Sequence, residues 1–183
     1  QPERSSDGEL QQAADGLAQD TIAFDQRGCL SPRIVLVQGS EAFALDFSQR
    51  LARALDAWEV AVPRGTLDEA EAADARRYED TMHYAGTALP AGRGMVALDR
   101  VPERAVLPPI GRYLHVTRTE SALTRLLDWG HQVTCVGMWN APLLPGLCES
   151  KLSPRRYVAL GQMQKPALDG PVDLRHGFTA EIS

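Results

Sequence analysis

Residues 34–58 read IVLVQGSEAFALDFSQRLARALDAW, and two periodicities meet inside them. Ile34 to Val37 is a short aliphatic, mostly β-branched run, the composition of a buried strand. From Ser40 and Glu41 to about Trp58, the residues Phe43, Phe47, Leu51, Ala54 and Leu55 recur at roughly 3.6-residue spacing, which marks one apolar face of a helix. Helices set between short apolar strands predict a layered α/β domain, a sheet with flanking helices.

The same alternation extends in both directions. Upstream, residues 8–23 predict a helix with Leu10, Ala13, Ala14, Leu17 and Ile22 on one face. Downstream, Pro63 and Gly65 end the link after the central helix. Thr66 with Glu69 three residues on has the form of a capping box for a helix from Leu67 to about Tyr84, whose thin apolar stripe predicts a surface position. Met95–Leu98 and Arg112–Val116 read as strands on either side of a loop holding Pro102, Pro108 and Pro109. Thr119 and Glu120 open a helix that runs to Trp129 and is closed by Gly130. Val133–Met138 reads as a central strand and Tyr157–Leu160 as the last one, with a weaker helix or turn over Ala141–Cys148 between them. After Gly161 the chain reads as loop.

A chain of 183 residues with 44% hydrophobic and 23% charged side chains suits one folded domain, here 1–183, and does not suit two. No apolar run approaches the roughly 18 residues of a membrane span, and no export signal is visible, so a cytoplasmic location is expected. The net charge of −5 and the scattered basic residues exclude a nucleic-acid footprint. The nearest thing to a basic cluster, Lys151 with Arg155 and Arg156, lacks interleaved aromatic side chains. Three irregularly spaced cysteines do not make a disulfide framework and leave a thiol free for chemistry.

That thiol is Cys29. It lies in the loop 24–32, FDQRGCLSP, where Gly28 permits unusual backbone angles and Pro32 turns Ser31 away from helix. A nucleophilic cysteine needs exposure, a favoured thiolate and nearby oxyanion donors. The tightly turned backbone beside Gly28 offers N–H groups, and Arg27 offers a neighbouring cation; a small buried hydrophobe is the competing reading. Cys135, inside VTCVGM, reads as a core thiol and Cys148 as structural. His131 and Cys135 would stand about 13 Å apart on one strand face, too far to share a metal, and with no CxxC or HExxH no metal is expected. Any of His83, His115, His131 and His176 is a possible base for Cys29. His131, after the helix-stopping Gly130 and before a strand, is carried as the catalytic candidate beside Cys29. The turn Arg118–Ser121 has the form of either a helix cap or an anion site, and no Walker or GxGxxG motif follows any predicted strand.

The segment 24–32 resembles the active-site segment of the LuxC-type long-chain acyl-CoA reductases, within the aldehyde dehydrogenase superfamily. Residues 111–116 (GRYLHV), 130–137 (GHQVTCVG), 155–164 (RRYVALGQMQ) and 166–173 (PALDGPVD) resemble the same family's later portion in the same order. The resemblance implies a catalytic-domain fold of the aldehyde dehydrogenase type. It also implies a fatty-acid oxidoreductase in which Cys29 takes an acyl group from acyl-CoA or an acyl carrier as a thioester before NADPH-dependent reduction to aldehyde. Family members carry a dinucleotide-binding half before this cysteine, and 28 residues precede it here. The expectation is therefore a catalytic domain without its nucleotide-binding half, with the NADPH site absent or incomplete. That half would come from a longer chain or a partner, and self-association is a further possibility. The alternatives are a non-enzymatic interaction or oligomerisation module derived from this fold, and a stand-alone cysteine acyltransferase or thioesterase.

Overall fold

The computed structural model describes residues 6–129, 132–139 and 156–165. Helix α1, Asp7–Ile22, starts at Ser6, whose Oγ accepts from Glu9 N–H while the Glu9 carboxylate accepts from Ser6 N–H. This reciprocal cap, absent from the sequence reading, satisfies two donors that a helix start leaves open. After a single turn at Ala23–Gln26 the chain enters β1, Ile34–Val37, and then α2, Glu41–Ala61, capped by Ser40.

Helix α3, Glu69–Ala85, is capped by Asp68 with Glu71, two residues later than the expected pair Thr66 and Glu69. Both pairs have the same spacing; the Thr66 carbonyl is instead engaged by Arg27. Strands β2, Gly86–Ala91, and β3, Gly94–Asp99, form a hairpin. β2 was not expected, because GTALPA combines residues poor in strand preference with a proline. Strand β4, Tyr113–Arg118, precedes α4, Ala122–Trp129. α4 starts later than expected because Thr119 and Ser121 spend their hydroxyls accepting from Ser121 N–H and Thr124 N–H.

The main sheet runs β1-β4-β3-β2. β4 is parallel to both neighbours, with Ile34 opposite His115 and Met95 opposite Tyr113, while β2 is antiparallel to β3. Alternation along β4 divides its side chains between two cores. Leu114 and Val116 face α1 and α2 with Val37, Leu51, Leu55, Val96 and Leu98. Tyr113 faces α3 with Ala75, Tyr78, Met82, Met95 and Ala97. The α/β class is therefore as expected, in the form of a mixed sheet with helices on both faces. The expected central strand, Val133–Met138, is a correction: among the described residues β5, Cys135–Met138, pairs only with β6, Arg156–Ala159, in a separate two-stranded sheet, and its residues are half-buried. The strands at the sheet centre are β3 and β4. No helix among the described residues is long and apolar enough to cross a membrane.

Candidate active site

Cys29 lies at the corner of a turn at the amino end of β1. Ser31 N–H donates to Gly28 O (3.1 Å) and closes the turn. Leu30 is buried beneath it, which leaves the thiol exposed. Among the described residues the Cys29 N–H has no acceptor.

The approach to this turn is strained and heavily braced. Phe24, Asp25 and Gln26 take φ of 54°, 49° and 64° in succession, a left-handed run that costs on the order of 1–2 kcal/mol per non-glycine residue. Gln26 is fully buried. Its Nε2 donates to Pro32 O and Tyr113 O (both 2.8 Å), and its Oε1 accepts from Tyr113 N–H (2.8 Å). In effect the amide pairs with the first residue of β4 as a strand backbone would. Asp25 accepts Arg112 Nε (2.8 Å) and Gly65 N–H (2.9 Å) on its carboxylate, and Gly111 N–H (3.0 Å) on its carbonyl. Arg33 ties Gln26 O to Pro108 O. On the other side, Gln164 Nε2 bridges Ser31 Oγ and Asp20 O (both 3.2 Å).

Buried Asp20 in turn accepts Gly161 N–H (2.6 Å) and Met163 N–H (3.0 Å). Burial pushes its carboxyl up, while backbone donors from Gly161, Met163 and Gln164 and the charge of Lys165 pull it down. Residues 111–113 and 164, from two other segments likened to the same family, thus meet the segment 24–32 around the cysteine.

Two expectations change here. Arg27 ion-pairs with Glu71 of α3 (2.8 Å), so its charge is spent on a neighbouring helix. Cys135 is half-buried, and burial foremost pushes its thiol up to about 11; the Arg156 charge opposes this, and Asp20 and Cys29 add to it. The second thiol is therefore held protonated at neutral pH.

His115 is fully buried on the α3 side of β4. Its Nε2 donates to Arg104 O (3.1 Å) and lies 3.6 Å from Asp99, and its Nδ1 accepts from Tyr78 OH (3.0 Å). It is a packed strand histidine, while His83 is exposed in the last turn of α3. His131, His176 and Cys148 lie outside the described residues, as do the expected turn Ala141–Cys148 and the tail after Lys165.

The anion turn resolves as a cap: Glu103 accepts Glu120 N–H, and the Thr119 and Ser121 hydroxyls take the next donors. Sequence reasoning missed Asp20, Gln26, Arg112 and Gln164. Only Gln26, a polar residue beside a glycine-cysteine turn, gave any local signal.

Fold and site together define an α/β protein that presents one exposed cysteine from a braced, left-handed bend. The family model for acyl-CoA reductase (LuxC) matches residues 4–141, a span that includes the bend, the cysteine turn and β4. The chain belongs to that family. The matched span ends before residues 155–164. A search of curated proteins finds no match.

Proposed function

We propose that this chain is the acyl-accepting catalytic unit of a fatty acyl thioester reductase, with Cys29 as the nucleophile and acyl-CoA as the donor. The observation that carries the reading is the exposed thiol on a loop that residues 111–113 and 164 brace from distant parts of the chain. The Cys29 thiolate attacks the thioester carbonyl carbon, forming an Sγ–C bond and a tetrahedral oxyanion for which the Cys29 N–H, without an acceptor among the described residues, is the proposed donor. Collapse breaks the bond to the CoA sulfur, which leaves as a thiolate and takes up a proton. The acyl group stays on Cys29 as a thioester, and nothing is oxidised or reduced in this step. His131 is the proposed proton acceptor for the thiol.

The reductant implied by the family resemblance is NADPH, and the openings of the three long helices do not fit its pyrophosphate. The three long helices open with Asp7 and Glu9, Glu41, and Glu69 and Glu71, acidic first turns that repel an anion. At the strand-to-helix link after β1, the open side of Gly39 is filled by the Phe43 ring, 2.8 Å from where a Cβ would stand, and Ser40 already caps the helix. No reduction step is assigned to these residues.

Intact-mass spectrometry after mixing the chain with acyl-CoA tests the proposal. One acyl adduct is expected, absent in Cys29→Ala. A folded wild-type chain that takes no acyl group, or an adduct that persists in Cys29→Ala, overturns it.

A further inference from the structure

We propose that Arg112, 83 residues after Cys29 in sequence, is a positioning residue for that cysteine and acts through Asp25. Its guanidinium is 1% exposed and held by two carboxylates: Nε donates to Asp25 (2.8 Å), while one terminal nitrogen donates to Glu59 (3.0 Å) and to Val62 O (2.8 Å). Arg112 itself sits at φ 72° beside Gly111 at φ 92°. Two left-handed bends therefore dock against each other, 24–26 from the cysteine loop and 111–112 from the start of β4. Four bonds join them: Gly111 N–H to Asp25 O, Arg112 Nε to the Asp25 carboxylate, Tyr113 N–H to Gln26 Oε1, and Gln26 Nε2 to Tyr113 O.

The energetics favour a geometric role. Burying an ion pair is poor value for stability, because desolvation offsets most of the attraction. What this pair secures is a bend that non-glycine residues avoid, four residues before the thiol. Glu59 and Val62 belong to the end of α2 and its exit, so the guanidinium ties the bend to a rigid helix. A displacement of about 1 Å at a reacting atom costs on the order of 10²-fold in rate.

The functional consequence rests on the acyl-accepting role of Cys29. The test separates the two by following alkylation as well as acylation, in the full chain. Iodoacetamide modification at the Cys29 peptide is measured by mass from about pH 6 to 10, bracketing the ordinary thiol range. The proteins are wild type, Arg112→Gln, Arg112→Lys, Asp25→Asn and the core variant Leu10→Ala at the far end of α1. Arg112→Gln and Asp25→Asn are expected to change the Cys29 alkylation profile by at least about threefold. They are also expected to slow acylation at saturating acyl-CoA on the order of 10- to 100-fold. Arg112→Lys recovers part of both, and Leu10→Ala leaves both unchanged while lowering Tm.

A folded Arg112→Gln whose profile superimposes on wild type overturns the proposal, as does a Leu10→Ala effect of equal size. If Arg112→Gln does not fold, Asp25→Asn decides by the same criterion. A wild-type chain that takes no acyl group sinks the acylation reading, and the alkylation comparison still decides the positioning one.

Discussion

At the scale of single residues, the bend before Cys29 shows how strain is repaid locally. Three left-handed residues cost several kcal/mol at about 1–2 each, and each hydrogen bond returns about 1 kcal/mol net. Gln26 contributes three such bonds in a site without water access. Gln26→Leu keeps the bulk and leaves Tyr113 N–H, Tyr113 O and Pro32 O unpaired, at about 1–3 kcal/mol for each buried group left unsatisfied. The expected loss in urea denaturation is about 3 kcal/mol or more, and a loss below about 0.5 kcal/mol would show that the amide is dispensable. The exposed loop position of Cys29 was legible, because glycine before it and proline after it punctuate a loop in one short window. Its braces were not. Asp25 and Arg112 are 87 residues apart, and nothing in either local sequence says that one carboxylate will meet that guanidinium.

At the scale of elements, legibility followed the strength of the apolar period. β1 and α2 were readable because a β-branched run and a 3.6-residue stripe are dictated by burial, and Leu51 and Leu55 are indeed fully buried. β2 was invisible because its place comes from pairing with β3 and not from its own side chains. Glycine marks where that hairpin is pressed against its neighbours. A Cβ on Gly94 would overlap the Arg112 carbonyl oxygen, and one on Gly86 would overlap that of Leu98. Gly94→Ala therefore pushes the start of β3 away from the residue that anchors the cysteine bend. It is expected to cost about 1–3 kcal/mol as overpacking and to alter Cys29 alkylation in the same direction as Arg112→Gln. Gly86→Ala is expected to lower Tm comparably without changing Cys29 reactivity, since it disturbs the far end of β3. Equal effects of the two substitutions on alkylation would remove the link between β3 and the bend.

At the scale of the whole molecule, β4 separates two chemistries. The bend and the cysteine turn cluster around its amino end, while the α3 face buries Tyr78, His115 and Asp99, with the exposed Arg104 closing that polar network from outside. In that network the Arg104 carbonyl can only accept, so His115 carries its proton on Nε2 and receives the Tyr78 hydroxyl on Nδ1. Burial lowers the His115 pKa, opposed by the Arg104 carbonyl and by Asp99, while the Arg104 charge lowers it further. A histidine whose folded pKa lies below its unfolded value near 6.5 binds protons more readily unfolded. Its contribution to stability is complete above about pH 6.5 and is lost as pH falls from there through the folded pKa. His115→Gln keeps a donor for the Arg104 carbonyl and an acceptor for the Tyr78 hydroxyl but has nothing to titrate. Urea midpoints measured from about pH 7.5 down to 5 should fall for wild type more steeply than for His115→Gln. Parallel curves would mean that another group sets the acid sensitivity of the fold. His115→Gln keeps both side-chain partners of His115 and touches none of the bonds that hold the cysteine bend to Arg112, Tyr113 and Gln164, so it should leave Cys29 alkylation at pH 7.5 unchanged while it flattens the stability profile.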